Sequence, residues 1–122
     1  PGVRYVHRPV DDRGEAGLAM VTTVLNALSH GCPVLLFTGG NLGQGVVRAL
    51  PRHVVLAVPS PVRRVTTAGE EVISIFEPGE GIVHEIPAGD LVDRVGPHRA
   101  LGNWTHVQWL ALPTPDPTNE KR

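Results

Sequence analysis

The apolar positions in the first half of the chain follow two periods. Val3–Val10 alternates as a strand does, and apolar residues recur at spacings of three and four within Glu15–Ser29, which predicts an amphipathic helix there. Pro33–Phe37 and His53–Val58 are continuous apolar runs, as expected of strands that are buried on both faces. A short helix over Asn41–Leu50 is predicted between these two strands, ending at a proline.

The second half is divided by glycine and proline into shorter segments. Two apolar runs flank the sequence EPGEG, which predicts a β-hairpin with a glycine-rich loop. A helical turn and a last strand follow. The predicted segments are Glu71–Phe76 and Ile82–Ile86 for the hairpin, Asp90–Val95 for the helical turn and Trp104–Leu112 for the strand.

The order of these segments predicts an α/β fold with a mixed, partly parallel sheet. It reads β-α-β-α-β, followed by the hairpin, the short helix and the final strand, in a two-layer or three-layer sandwich. Residues 1–112 are predicted to form one domain, and residues 113–122 a polar, proline-rich tail or linker. The chain begins at Pro1 rather than Met, which suggests a domain of a longer protein or a processed chain.

Composition and charge narrow the possible partners. The 122 residues include 14 Gly and 12 Pro and carry a formal net charge of -1, so many turns are expected. The arginines are scattered, which argues against nucleic-acid binding, and no apolar run approaches the length of a membrane span. Cys32 is the only cysteine, which excludes an internal disulfide and fits a cytoplasmic location.

The glycine-rich stretch Thr38–Gly45 is the strongest local signal for a ligand. It directly follows the apolar run that ends at Phe37, and ligands of parallel sheets bind beyond the carboxyl ends of the strands. A helix that begins near Asn41 would direct its free N–H groups and its positive dipole end to this point. The stretch therefore predicts a site for a phosphate-bearing or nucleotide ligand. The structural alternative is that Gly39 and Gly40 only form a tight corner.

The segment TGGNLGQGVVRAL resembles the glycine fingerprint of Rossmann-type NAD(P)-binding domains, and the resemblance covers residues 34–64. It implies a cofactor site in which NADP suits the chain better than NAD, because the second strand is followed by Ser60 and two arginines rather than by an acid. Thr38 stands where the dinucleotide motif has its first glycine, and no further β-α unit follows. The implied ligand-binding residues are Thr38, Gly39, Gly40, Asn41, Gly43, Ser60 and Arg63.

Other reactive residues form no recognisable motif. His84, His98 and His106 could contribute to a metal or acid–base site only if the fold brought them together, and His84 and Glu85 would point to opposite faces of a strand. No metal site is predicted. Cys32 precedes an apolar strand, as a buried structural cysteine would.

The sequence leaves two main functions open. The first is a small α/β domain that binds a phosphate-bearing ligand at Thr38–Gly45. The alternative is a non-enzymatic protein-interaction module or accessory domain of a larger assembly. Trp104 and Trp109 would point to opposite faces of the last strand, and an exposed one would mark a partner surface; the structural alternative is that both tryptophans lie in the core. A small hydrolase or transferase of unrecognised type is a weaker alternative.

Overall fold

A computed structural model describes residues 4–40, 52–60, 62 and 64–114 of the chain. These described residues form six strands, one α-helix and two short 3-10 helices. The strands are β1 (Arg4–Pro9), β2 (Val34–Gly39), β3 (His53–Val58), β4 (Val72–Glu77), β5 (Ile82–Pro87) and β6 (His106–Thr114); helix α1 is Gly14–Ser29, and the 3-10 helices are Ala88–Leu91 and Arg99–Leu101. The predicted helix at Asn41–Leu50 lies outside the described residues.

The six strands form one sheet in the order β1-β6-β2-β3-β4-β5, and every neighbouring pair is antiparallel. The prediction of a partly parallel, Rossmann-like α/β sheet was therefore wrong. β1 and β2 do run in the same direction, but the C-terminal strand β6 lies between them and pairs with both. β3 returns beside β2, so that the backbone N–H of Arg52 donates to the carbonyl of Thr38 at 2.8 Å.

The described helices all pack on one face of the sheet. Met20 and Val24 of α1 join a buried cluster with alternate residues of the central strands. The 3-10 helix Arg99–Leu101 covers the same face at the end where β2 stops, since the Thr38 hydroxyl donates to the Leu101 carbonyl at 2.9 Å. The described residues thus form two layers, with the core between the sheet and these helices.

The first N–H group of helix α1 donates to a side chain from a distant part of the chain. Asp11 and Asp12 stand just before the helix, but the N–H of Gly14 donates to the carboxylate of Asp93 at 3.0 Å. Asp12 is instead 3% exposed and accepts a hydrogen bond from the N–H of Val107 at 3.0 Å. An acidic side chain near the first N–H groups complements the helix dipole, so a residue 79 positions away fixes the start of the helix.

Candidate functional site

The predicted ligand turn begins at the end of β2, and its first residues are already engaged in the core. Thr38 is fully buried, and its hydroxyl is committed to the carbonyl of Leu101. Gly39 is buried as well, because the side chain of Gln108 lies directly over it. A Cβ at Gly39 would stand 2.7 Å from the Gln108 Oε1 atom. The need for glycine at position 39 therefore follows from a close side-chain contact.

Gln108 reaches this position because β6 carries a bulge. The pairing of β2 with β6 shifts between Phe37 and Thr38, which pair with Trp109 and Val107 and leave Gln108 between them. A bulge redirects the side chain that it inserts. The Gln108 Nε2 group donates to the carbonyl of Gly40 at 3.0 Å, while its buried Oε1 atom has no hydrogen-bond partner within the described part of the chain.

The other predicted ligand residues are not brought to this turn by the described structure. Ser60 follows β3, which runs antiparallel to β2, so it emerges at the opposite end of the sheet from Thr38. Its hydroxyl donates to the carbonyl of Val62 at 2.9 Å. The ligand residues Asn41, Gly43 and Arg63 lie outside the described residues, and their predicted role stays a prediction.

A hydrogen-bonded pair of side chains lies beside the turn, on the helix-covered face. The Nε2 atom of His53 donates to the Glu77 carboxylate at 2.7 Å, and the Glu77 side chain is 5% exposed. The backbone N–H groups of Gly79 and Glu80 donate to the same carboxylate at 2.6 and 3.1 Å. Burial by itself raises the pKa of Glu77, but these three hydrogen bonds outweigh it, and the pKa lies below its ordinary value.

Gly102 holds the imidazole of His53 in this arrangement. Its backbone has a φ of +70°, and a Cβ built on it would lie 2.2 Å from the Cδ2 atom of His53. Glycine is therefore needed here both for the left-handed backbone and for the contact with the ring. The sequence contained no signal for this pair, because His53 and Glu77 are 24 positions apart.

The histidines considered for a metal site have separate partners. The Nδ1 atom of His98 accepts a hydrogen bond from the N–H of Ala100 at 3.0 Å, so its Nε2 atom carries the proton and donates to Asp90 at 3.1 Å. His84 contacts Glu80 at 3.3 Å, and the Nδ1 atom of His106 lies 2.7 Å from a threonine hydroxyl. Within the described ranges, no three His, Cys, Asp or Glu side chains are placed to hold a metal ion.

The face of the sheet that points away from α1 is covered by no helix among the described residues, and we call it the open face. One row of side chains crosses it from edge to edge through all six strands, and we call this the central row. In strand order, the central row is His7, Ala111, Leu35, Leu56, Phe76 and Val83. Five of its six members are apolar.

The exposure along β2 distinguishes the two faces. Val34 and Leu36 point to the helices and are 0% exposed, whereas Leu35 and Phe37, on the open face, are only partly buried. The expectation that this apolar run is buried on both faces is therefore not met by the described residues. Such an apolar surface, without a covering layer, is typical of a binding surface.

Aromatic rings lie beside the central row. Trp109 pairs with Phe37 on the next strand and shares the open face with it, and both rings are partly exposed. The ring of His7 packs against Phe37, with 5.4 Å between their centroids. Trp104 precedes β6 and forms an isolated bridge with His98, so the prediction that one strand carries both tryptophans was wrong.

Two clefts flank α1, and neither is lined by His53 or Glu77. The first, of about 460 Å³, lies between the helix and the β1 edge and includes Cys32, which is partly exposed rather than buried. The second, of about 450 Å³, lies between the helix and the β4 side of the sheet and includes Ser60. Both volumes fall in the range of small-molecule pockets, but their walls are mainly apolar, with no cluster of charged groups.

Neither the described helices nor a comparison with known proteins points to a particular function. No helix in the described ranges is long and apolar enough to cross a membrane. Comparison with protein-family models, with curated proteins and with solved structures gives no match for this chain. The open face and the polar groups described above are therefore the features that bear on function.

Proposed function

We propose that this chain is a non-enzymatic protein-interaction module that binds a partner protein through the open face. The observation that carries the proposal is the central row, in which apolar side chains from five neighbouring strands follow one another without a covering element among the described residues. An antiparallel sheet with one face in water normally alternates apolar and polar residues along each strand. Here both faces of β2 and β3 are apolar.

The composition of the open face supports a protein partner rather than a small ligand. The face is broad and is lined by Leu, Val, Phe and Trp side chains, and aromatic residues are enriched at the centres of protein interfaces. Charged groups lie near its margins, as with Glu85 on the edge strand β5, which matches the polar rim of such interfaces. The histidines nearest the predicted turn form hydrogen bonds within the fold. This is expected of side chains that stabilise the structure rather than of side chains that bind a ligand.

The test is whether the native chain presents an apolar surface that is lost when one side chain of the open face becomes charged. The purified chain should bind the fluorescent dye bis-ANS at low protein concentration while it still unfolds cooperatively. Leu56→Lys should reduce this binding several-fold. Leu18→Lys, at a leucine of α1 that is 60% exposed, is the matched control and should bind the dye as the wild type does.

Dye binding that is unaffected by Leu56→Lys, or that begins only when the chain unfolds, would contradict the proposal. Circular dichroism and thermal unfolding of both variants show whether the fold is retained. Leu56 is only partly buried and points away from the core cluster, so the substitution leaves the packing under α1 in place.

A further inference from the structure

The order of side chains in the central row also indicates what covers the open face. We infer that the occupant is a second copy of this chain, packed face to face about a two-fold axis parallel to the strands; this inference rests on the proposed interaction function. Closed two-fold dimers are the commonest homo-oligomers, and each copy uses the same surface. Two sheets that pack in this way lie about 10 Å apart with their strands roughly aligned.

The axis would pass between β2 and β3, at the middle of the six strands. Each central row then lies on the central row of the other copy in reverse order. Leu35 faces Leu56 of the second copy, and Ala111 faces Phe76 of the second copy. The match is steric: Ala111 is a small residue that is 2% exposed, and the residue opposite to it is a large ring that is only partly buried.

The two margins of the face also come together under this symmetry. The β1 edge carries Tyr5 and His7, and it comes to lie over the β5 edge of the second copy, which carries Val83 and Glu85. Tyr5 donates to the carbonyl of Pro33 and Glu85 is paired with Arg64 within each copy, so this contact leaves neither group without its partner. A net charge of -1 means that two copies repel each other only weakly.

The size of the face sets the expected strength of association. Six strands at about 4.8 Å spacing and six residues per strand at about 3.3 Å give a footprint of roughly 30 by 20 Å, or about 600 Å² for each copy. Two such faces bury about 1,200 Å², which is the lower end of the range for specific interfaces. Self-association in the micromolar range is therefore expected rather than an obligate dimer.

The experiment is sedimentation velocity of the chain over a concentration series that spans this range. The wild type should shift from monomer to dimer, and Leu35→Glu should raise the dissociation constant at least tenfold, since the two-fold axis brings the change into the interface twice. Leu18→Glu on α1 is the matched control and should dimerise as the wild type does. Circular dichroism shows that each variant is folded.

A second pair of variants covers the case in which Leu35→Glu does not fold. Val83 is 51% exposed on the open face and Val65 is 54% exposed elsewhere, so a lysine at either position leaves the core intact. Val83→Lys should weaken dimerisation and Val65→Lys should not. Leu35 and Leu56 are paired neighbours within one chain, so the two cysteines are placed in separate chains. A mixture of Leu35→Cys chains and Leu56→Cys chains, all carrying Cys32→Ser, should give a covalent dimer on oxidation.

The outcomes separate this inference from the proposed function. A wild type that stays monomeric at all concentrations, but whose bis-ANS binding is lost in Leu56→Lys, overturns the second-copy inference and leaves the interaction face for another protein. A monomer that binds no dye contradicts both. A dimer that persists in Leu35→Glu and Val83→Lys lies on another surface, such as an edge strand, and also overturns the inference.

Discussion

Replacement of Gly102 by alanine tests whether one glycine orients the buried His53–Glu77 pair. The new Cβ would lie 2.2 Å from His53 Cδ2 and 2.7 Å from Nε2, whereas ordinary contacts begin at 3.4 Å. The ring must therefore move away by about 1.2 Å, which is the difference between 3.4 and 2.2 Å. Such a movement breaks the 2.7 Å hydrogen bond to Glu77 and leaves a carboxylate that is 5% exposed without this donor.

Two effects contribute to the expected loss of stability in Gly102→Ala. An alanine forced into the left-handed region costs roughly 1–2 kcal/mol. Loss of a hydrogen bond to a charged group costs about 1.5–3 kcal/mol more. The free energy of unfolding should thus fall by about 3–5 kcal/mol, which is a large part of the stability of a small domain.

Gly81→Ala is the control that separates the two effects. Gly81 has a φ of +71°, nearly the same as Gly102, but a Cβ there meets no heavy atom within 4 Å. It should show only the backbone cost. Urea unfolding followed by circular dichroism gives both free energies, and the difference between the variants measures the contact with His53.

A double-mutant cycle with His53→Ala completes the test. When the ring is absent, Gly102→Ala should cost only what Gly81→Ala costs, because nothing remains for the Cβ to displace. Equal losses for Gly102→Ala and Gly81→Ala in the chain that retains His53 would refute the reasoning. A cycle that is additive within about 0.5 kcal/mol would refute it as well.

Three further substitutions test the other polar and glycine positions. The pKa of Glu77 in the folded chain lies below its ordinary 4.5, so its ionised form stabilises the fold above that pH. The free energy of unfolding of the wild type should therefore exceed that of Glu77→Gln by less and less as the pH falls from about 5 to 3. A difference that stays constant over this range contradicts the prediction. Burial raises the pKa of Asp12 above 3.8, so ionisation of this side chain opposes folding. In urea titrations, the stability of Asp12→Asn relative to the wild type should therefore increase from about pH 4 to 7. Gly39→Ala should lower the free energy of unfolding by about 1–3 kcal/mol, because the new Cβ clashes with Gln108. Gly96→Ala is the control, since a Cβ there meets no atom within 4 Å, and its stability should stay within about 0.5 kcal/mol of the wild type. Similar melting temperatures for the two variants would contradict the predicted contact.

Local patterns in the sequence were enough to predict helix α1 and the β4–β5 hairpin. The spacing of apolar residues from Leu18 to Leu28 predicts a helix because helical neighbours are three and four positions apart, and α1 is found at Gly14–Ser29. The EPGEG segment predicts the β4–β5 hairpin for a similar reason, since a short glycine-containing loop joins adjacent strands. These signals act over a few residues, so no knowledge of the remaining chain is needed.

The partners of the strands could not be predicted in the same way. Period-two alternation and apolar runs show that a segment is extended, but neither shows which strand lies beside it. β6 inserts between β1 and β2, and the registers that hold it join Arg4 to Thr114 and Leu35 to Ala111. The order of strands and helices suggested parallel neighbours. The late strand β6 separates β1 from β2, which run in the same direction, and β3 turns back beside β2 as an antiparallel neighbour.

The candidate surfaces depend on the same long-range pairings. The apolar character of β2 and β3 is plain in the sequence, but only the placement of all described helices on one face leaves the other face open. The buried pair of His53 with Glu77 and its contact with Gly102 likewise join residues that no local spacing relates. The sequence by itself determined which segments fold locally, because those interactions span a few residues. Only the tertiary structure decided which side chains share a face, because strand order sets that.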